Sequence, residues 1–126
     1  MFRAMKAEQD GLPKVGRSGR ELGIRIDGAI RDLRVGEDGA IEPETGGMSV
    51  AFDAARNLPK PRLPRSLGGE GRDPVFSMQR AEIPETLTLR VDRYPHASVE
   101  PIRRCLLAEF ESDLASTRSF WRKVHD

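Results

Sequence analysis

Pro43-Glu44-Thr45-Gly46-Gly47-Met48-Ser49-Val50 runs a proline and a glycine pair into a stretch that alternates with period two. Successive side chains of a strand point to opposite faces, so Met48, Val50 and Phe52 share one side and Ser49 and Ala51 the other. A half-buried strand is expected here, with Ser49 turned from the core. The two glycines let backbone approach a neighbour or a ligand closely, while a hydroxyl is presented just beyond them. Taken alone, the pattern fits a glycine turn into an edge strand as well as it fits a binding wall.

The same period recurs on both sides of this segment. Residues 2–6 read as a short opening strand, and Asp10-Gly11-Leu12-Pro13 as a turn. Leu22, Ile24 and Ile26 alternate with Gly23 and Arg25, and Leu33 with Val35 continues the pattern up to Glu37-Asp38-Gly39, which suggests a hairpin. Asp53 is placed to cap a short helix through Asn57. Residues 75–78 read as a strand, and residues 87–92 give the clearest alternation, with Leu87, Leu89 and Val91 on one face. Pro101 suits a first helical turn, and Ile102, Leu106, Phe110 and Leu114 recur every four residues, predicting an amphipathic helix. Phe120 and Trp121 are expected to pin a last helical stretch to the sheet, with Arg122 and Lys123 at its C-terminus.

Short strands early and one helix late predict an α+β fold with an antiparallel or mixed sheet rather than a βαβ array. With 126 residues, one domain over positions 1–126 is the expectation. Its one interruption is residues 58–74, where Pro59, Pro61, Pro64, Pro74, Gly68, Gly69 and Gly71 resist helix and central strand alike. So long a loop in a small domain is expected to be either a functional lid or a disordered segment.

Composition narrows the function classes. Twenty-one Lys and Arg stand against 20 Asp and Glu, so the basic excess of a nucleic-acid binder is missing and nucleic acid is not the leading partner. Only Lys6, Lys14, Lys60 and Lys123 are lysines. The remaining arginines suit bidentate gripping of phosphate and carboxylate, although codon bias yields the same composition. The lone Cys105 cannot form an internal disulfide, and no apolar run is long enough to span a membrane. A chain folding in a reducing cytosol is expected, compatible with export by a machine that needs no cleaved signal.

Most familiar motifs are absent. Cys105, His96 and His125 have no zinc-ligand spacing. Gly68-Gly69-Glu70-Gly71 lacks the Gly-Lys-Ser/Thr ending of a phosphate-binding loop, and Pro61-Arg62-Leu63-Pro64 matches PxxP, a pattern short enough to arise by chance.

Several spaced pieces resemble one family. Phe2-Arg3-Ala4, Asp38-Gly39, Pro43, Thr45-Gly46-Gly47, Ser49-Val50, Phe52-Asp53, Ile83-Pro84, Tyr94, His96 and Pro101 follow, in order, the pattern of the type VI secretion cytotoxic effectors with an ADP-ribosyltransferase-like fold, the second type-six-exported effector and its relatives. The resemblance implies a small split sheet whose cleft binds NAD as substrate. It implies an enzyme, an NAD-dependent ADP-ribosyltransferase that passes ADP-ribose to an unknown cytosolic acceptor or to water. Breaking the nicotinamide bond builds positive charge on the ribose, so the site must hold the diphosphate, orient the amide and fix the hydroxyls.

Carried over by position, Arg3 would grip phosphate or ribose, Ser49 would support the ribose or the amide, and His96 would orient a hydroxyl. Thr45, Gly46 and Gly47 would back the cofactor, and Tyr94 would stack on nicotinamide. A toxin checked by a cognate immunity or antitoxin protein, acting in the cytosol after type VI export, completes the implication. Two departures stand out: Met48 replaces the threonine that a relative carries, and Glu100, a candidate for the acid used by many such transferases, has no acidic counterpart in that relative. A non-catalytic interaction module using the arginines and the 58–74 loop is the main alternative, and an RNA-directed enzyme of the same fold a further one.

Overall fold

A computed structural model describes residues 1–28 and 31–126. Its strands, in chain order, are β1 (Phe2–Ala4), β2 (Ala40–Ile41), β3 (Met48–Ala51), β4 (Val75–Ser77), β5 (Leu87–Arg93), β6 (His96–Pro101), β7 (Cys105–Leu106) and β8 (Arg122–His125), with one α-helix, α1 (Leu107–Ala115), ahead of β8. Six of them form an antiparallel sheet in the order β5-β6-β3-β1-β4-β8, and β2 pairs with β7 in a separate two-stranded ribbon. The expected α+β class with an antiparallel sheet and a late helix describes this arrangement.

Alternation along the strands divides the apolar residues between two faces. Met48, Val50, Phe76, Leu87, Leu89, Ala97 and Val99 belong to the main core, which Phe110 and Leu114 of α1 close together with Trp121. Trp121 is buried, and its indole N–H donates to Thr117 Oγ1 at 2.9 Å, so the one polar atom of this large side chain is satisfied. On the opposite face Ala4, Ala51 and Val75 pack with Ala55 and Leu58, so the sheet is covered on both sides. The second cover comes from the proline- and glycine-rich stretch. That stretch is ordered by its own hydrogen bonds: Arg62 and Leu63 N–H donate to the Pro59 carbonyl, Gly71 to that of Leu63 and Glu70 to that of Lys60. A short 3-10 turn, Arg65–Leu67, lies within it.

Several expectations are corrected. Residues 22–26 form no strand, although Leu22 and Ile24 are fully buried. Their backbone is bonded locally, Leu22 N–H to Lys14 O and Arg25 N–H to the Asp32 carboxylate, so the alternation marks burial without a ladder. The Glu37-Asp38-Gly39 turn is present, with Gly39 at φ +79, but Ala40 and Ile41 leave it to pair with Leu106 and Cys105 rather than with residues 33–35. Asp53 is no cap: it has φ +69 and accepts the Tyr94 hydroxyl, while the 3-10 turn Ala55–Asn57 starts without a side-chain cap.

The helix begins six residues after Pro101, which instead ends β6 opposite Leu87. Strand pairing on both sides of β6, and the burial of Ala97 and Val99, outweigh the helix-start signal of one proline. Ile102 and Leu106 are consequently half exposed, and only Phe110 and Leu114 of the four-residue series reach the core. Residues 122–125 are a strand rather than a helix end; β8 covers the free side of β4, and the charges of Arg122 and Lys123 protect the resulting edge.

Candidate functional site

The sheet is weakest between β1 and β3. Their ladder consists of the single pair Phe2 and Ala51. Beyond it the Arg3 side chain takes over: Nη1 donates to Ser49 O at 2.6 Å, and Nε and Nη2 donate to Glu21 O at 3.1 and 2.9 Å. Nη2 also reaches Ser18 O and Gly23 O, both at 3.3 Å. The guanidinium thus ties β1 to β3 and to the coil over residues 18–23. Burial is the main cause that lowers its pKa to about 10; the charge of Asp32 opposes this, and those of Arg62 and Arg25 reinforce it. Arg3 therefore remains a cation at neutral pH.

A cavity of about 210 Å³ opens at this seam, lined by Arg3, Gly19, Arg25, Ser49, Arg62 and His96 together with apolar residues of β1, β3 and the loop. Residues 3, 49 and 96, far apart in the chain, are thereby brought together. Ser49 stands opposite Ser98 on β6, and Ala51 opposite His96. The imidazole Nδ1 of His96 is 2.7 Å from Asp92 Oδ1 across the turn between β5 and β6, a contact that fixes the ring and leaves Nε2 for another partner. Asp92 went unrecognised in the sequence because its four-residue spacing from His96 crosses a strand–turn–strand corner; the Tyr94-Pro95 pair was the available signal of that corner.

Thr45, Gly46 and Gly47 do not line this cavity. Thr45 Oγ1 donates to Glu42 O at 2.7 Å. A Cβ on Gly46 would stand 2.1 Å from Asp32 O, and one on Gly47 would stand 2.2 Å from Val99 O. Close backbone packing therefore explains both glycines without a ligand. Tyr94 is 62% exposed; it lies in an adjoining cavity of about 350 Å³ that also contains Asn57 and Arg93 and that shares Val50, Pro59 and His96 with the first.

Glu100 is buried and fully engaged. Its carboxylate accepts Arg90 Nη2 at 2.8 Å, the Glu44 N–H at 3.1 Å and the Ser98 hydroxyl. It shares a strand face with Ser98 and His96, as its spacing predicted, but it lines neither cavity.

Among the described residues no helix is long and apolar enough to cross a membrane. No family model, curated protein or solved structure matches the chain.

Proposed function

We propose that this chain is an ADP-ribosyltransferase-like domain that binds NAD along the two adjoining cavities and breaks its nicotinamide bond. One observation carries the reading: Arg3, Ser49 and His96, singled out at distant positions, line one cavity at the place where the β1–β3 ladder stops. The cavity they share is smaller than a dinucleotide requires. The cavity beside Tyr94, which shares Val50, Pro59 and His96 with it, would provide the additional length.

In this reading the bond between the ribosyl carbon and the nicotinamide nitrogen breaks with its electron pair passing to nicotinamide. An acceptor or water oxygen then bonds to the ribosyl carbon and releases a proton. His96, held by Asp92, orients a ribose hydroxyl, and Ser49 supports the ribose or the amide. The same resemblance carries the proposal of a cytotoxin exported by a type VI system and restrained by an immunity protein.

A second reading, a non-catalytic interaction module, is favoured by one feature: Arg3 is occupied by four carbonyls, which leaves it little capacity to grip a ligand. Incubation with NAD and assay of released nicotinamide separates the two. Release that disappears in His96→Ala supports the enzyme, and no release at millimolar NAD supports the module.

A further inference from the structure

Three arginines surround the cavity, yet only one was anticipated, and that one is saturated. We propose that the seam cavity is an anion subsite in which Arg62 and Arg25, rather than Arg3, contact a phosphate ester or diphosphate. The inference deepens the NAD reading and rests on it for the identity of the whole ligand.

The lining contains Arg3, Arg25, Arg62 and His96 but no carboxylate. Arg25 and Arg62 converge over Gly19: a Cβ placed there would stand 3.5 Å from the guanidinium carbon of Arg62 and 3.7 Å from that of Arg25. The same Cβ would lie 2.6 Å from Arg62 Nη2, so the absence of a side chain at position 19 is what lets the guanidinium settle there. Arg25 is partly balanced by Asp32, whose Oδ1 accepts its Nη2 at 2.9 Å. Arg62 has no carboxylate within ion-pair distance among the described residues. Its main chain is fixed, with Arg62 N–H donating to Pro59 O at 2.8 Å, so the loop presents the side chain from an ordered base.

Like charges held this close repel, and the repulsion grows as water is excluded. A phosphate between the two guanidinia relieves it and suits their planar, paired donors. The buried Arg3 charge forms a positive floor beneath such an anion without contacting it. The cavity has room for several water molecules' worth of ligand, which matches a phosphate or diphosphate group and not a whole dinucleotide.

The test titrates the full chain with inorganic pyrophosphate by calorimetry at low salt, for the wild type, Arg62→Ala and Arg62→Lys, and assays nicotinamide release from NAD on the same samples. Pyrophosphate should bind the wild type, should bind Arg62→Ala about tenfold more weakly, and should be partly restored by Arg62→Lys, with affinity falling as salt rises. Absence of pyrophosphate binding to the wild type, or equal binding by Arg62→Ala, overturns the subsite. Pyrophosphate binding that depends on Arg62 while NAD is neither bound nor cleaved keeps the subsite and removes the NAD reading. NAD cleavage that is indifferent to Arg62→Ala does the reverse.

Discussion

Nη1 of Arg3 stands 2.6 Å from the main-chain oxygen of Ser49 and donates to it. A side chain thus performs a bond that a longer ladder between β1 and β3 would have made through backbone. Arg3 is structural and electrostatic together, and its removal cannot be interpreted as loss of a ligand contact alone. Arg3→Ala strands the carbonyls of Glu21, Ser49 and Gly23 and should cost about 2–4 kcal/mol in urea unfolding. Arg3→Lys keeps the charge but not the fork, and should recover only part of that loss.

Gly47 separates packing from binding. Gly47→Ala brings a methyl against the Val99 carbonyl and should destabilise the fold by about 1–3 kcal/mol. Equilibrium unfolding measures the cost. If the folded fraction then binds NAD as the wild type does, the glycine pair serves the sheet and not the ligand.

Arg90 and Glu100 form a half-buried ion pair whose acid is 1% exposed. Arg90→Ala leaves that buried carboxylate with only the Ser98 hydroxyl and the Glu44 N–H and should lower the urea midpoint, by less than a fully buried pair would because the Arg90 side chain is itself partly in water. Replacing both by an apolar pair, Arg90→Met with Glu100→Leu, should cost less than Arg90→Ala alone. Urea midpoints of the single and double variants provide the comparison.

Strand periodicity made most of the sheet legible. The alternation at Met48–Ala51 and over residues 87–89 matched ladders because β6 pairs with each of these residues, whereas past Arg90 the register slips and Val91, expected on the same buried face as Leu87 and Leu89, is 38% exposed. At Leu22 and Ile24 the same alternation reported only which side chains are buried. Period describes the side chains, and a strand also needs a neighbour with free backbone groups. Pro101 and the four-residue series after it misled for the converse reason: pairing of β6 with β3 up to Val99 and with β5 up to Pro101 itself held the chain extended through the proline. For the candidate site, Arg3, Ser49 and His96, singled out in the sequence by a resemblance alone, line one cavity, whereas Arg25, Arg62 and Asp92 carried no signal in the sequence. Their convergence is produced by loop and corner geometry that no local spacing encodes.

Acid sensitivity should report on Asp73. Its carboxylate accepts Arg20 Nε at 2.6 Å and Nη2 at 2.7 Å, and this bidentate bond holds its pKa below the ordinary value against the opposing effect of burial. A depressed folded-state pKa contributes stability that is present above the unfolded aspartate value, about 3.9, and is lost as pH falls through the folded value. Stability should accordingly decline below about pH 4, and Asp73→Asn should flatten that decline. Thermal midpoints of both proteins across pH 2–7 measure the difference.

The central claim is that NAD lies along the seam cavity of Arg3, Ser49 and His96 and the adjoining cavity beside Tyr94, and calorimetric titration of NAD into the wild type and into His96→Ala tests it most directly. The account predicts saturable binding by the wild type and an affinity about tenfold lower in a His96→Ala protein that is still folded, the loss expected for one ligand hydrogen bond of about 1.4 kcal/mol. Absence of binding at millimolar NAD, or equal affinity in the two proteins, would contradict it.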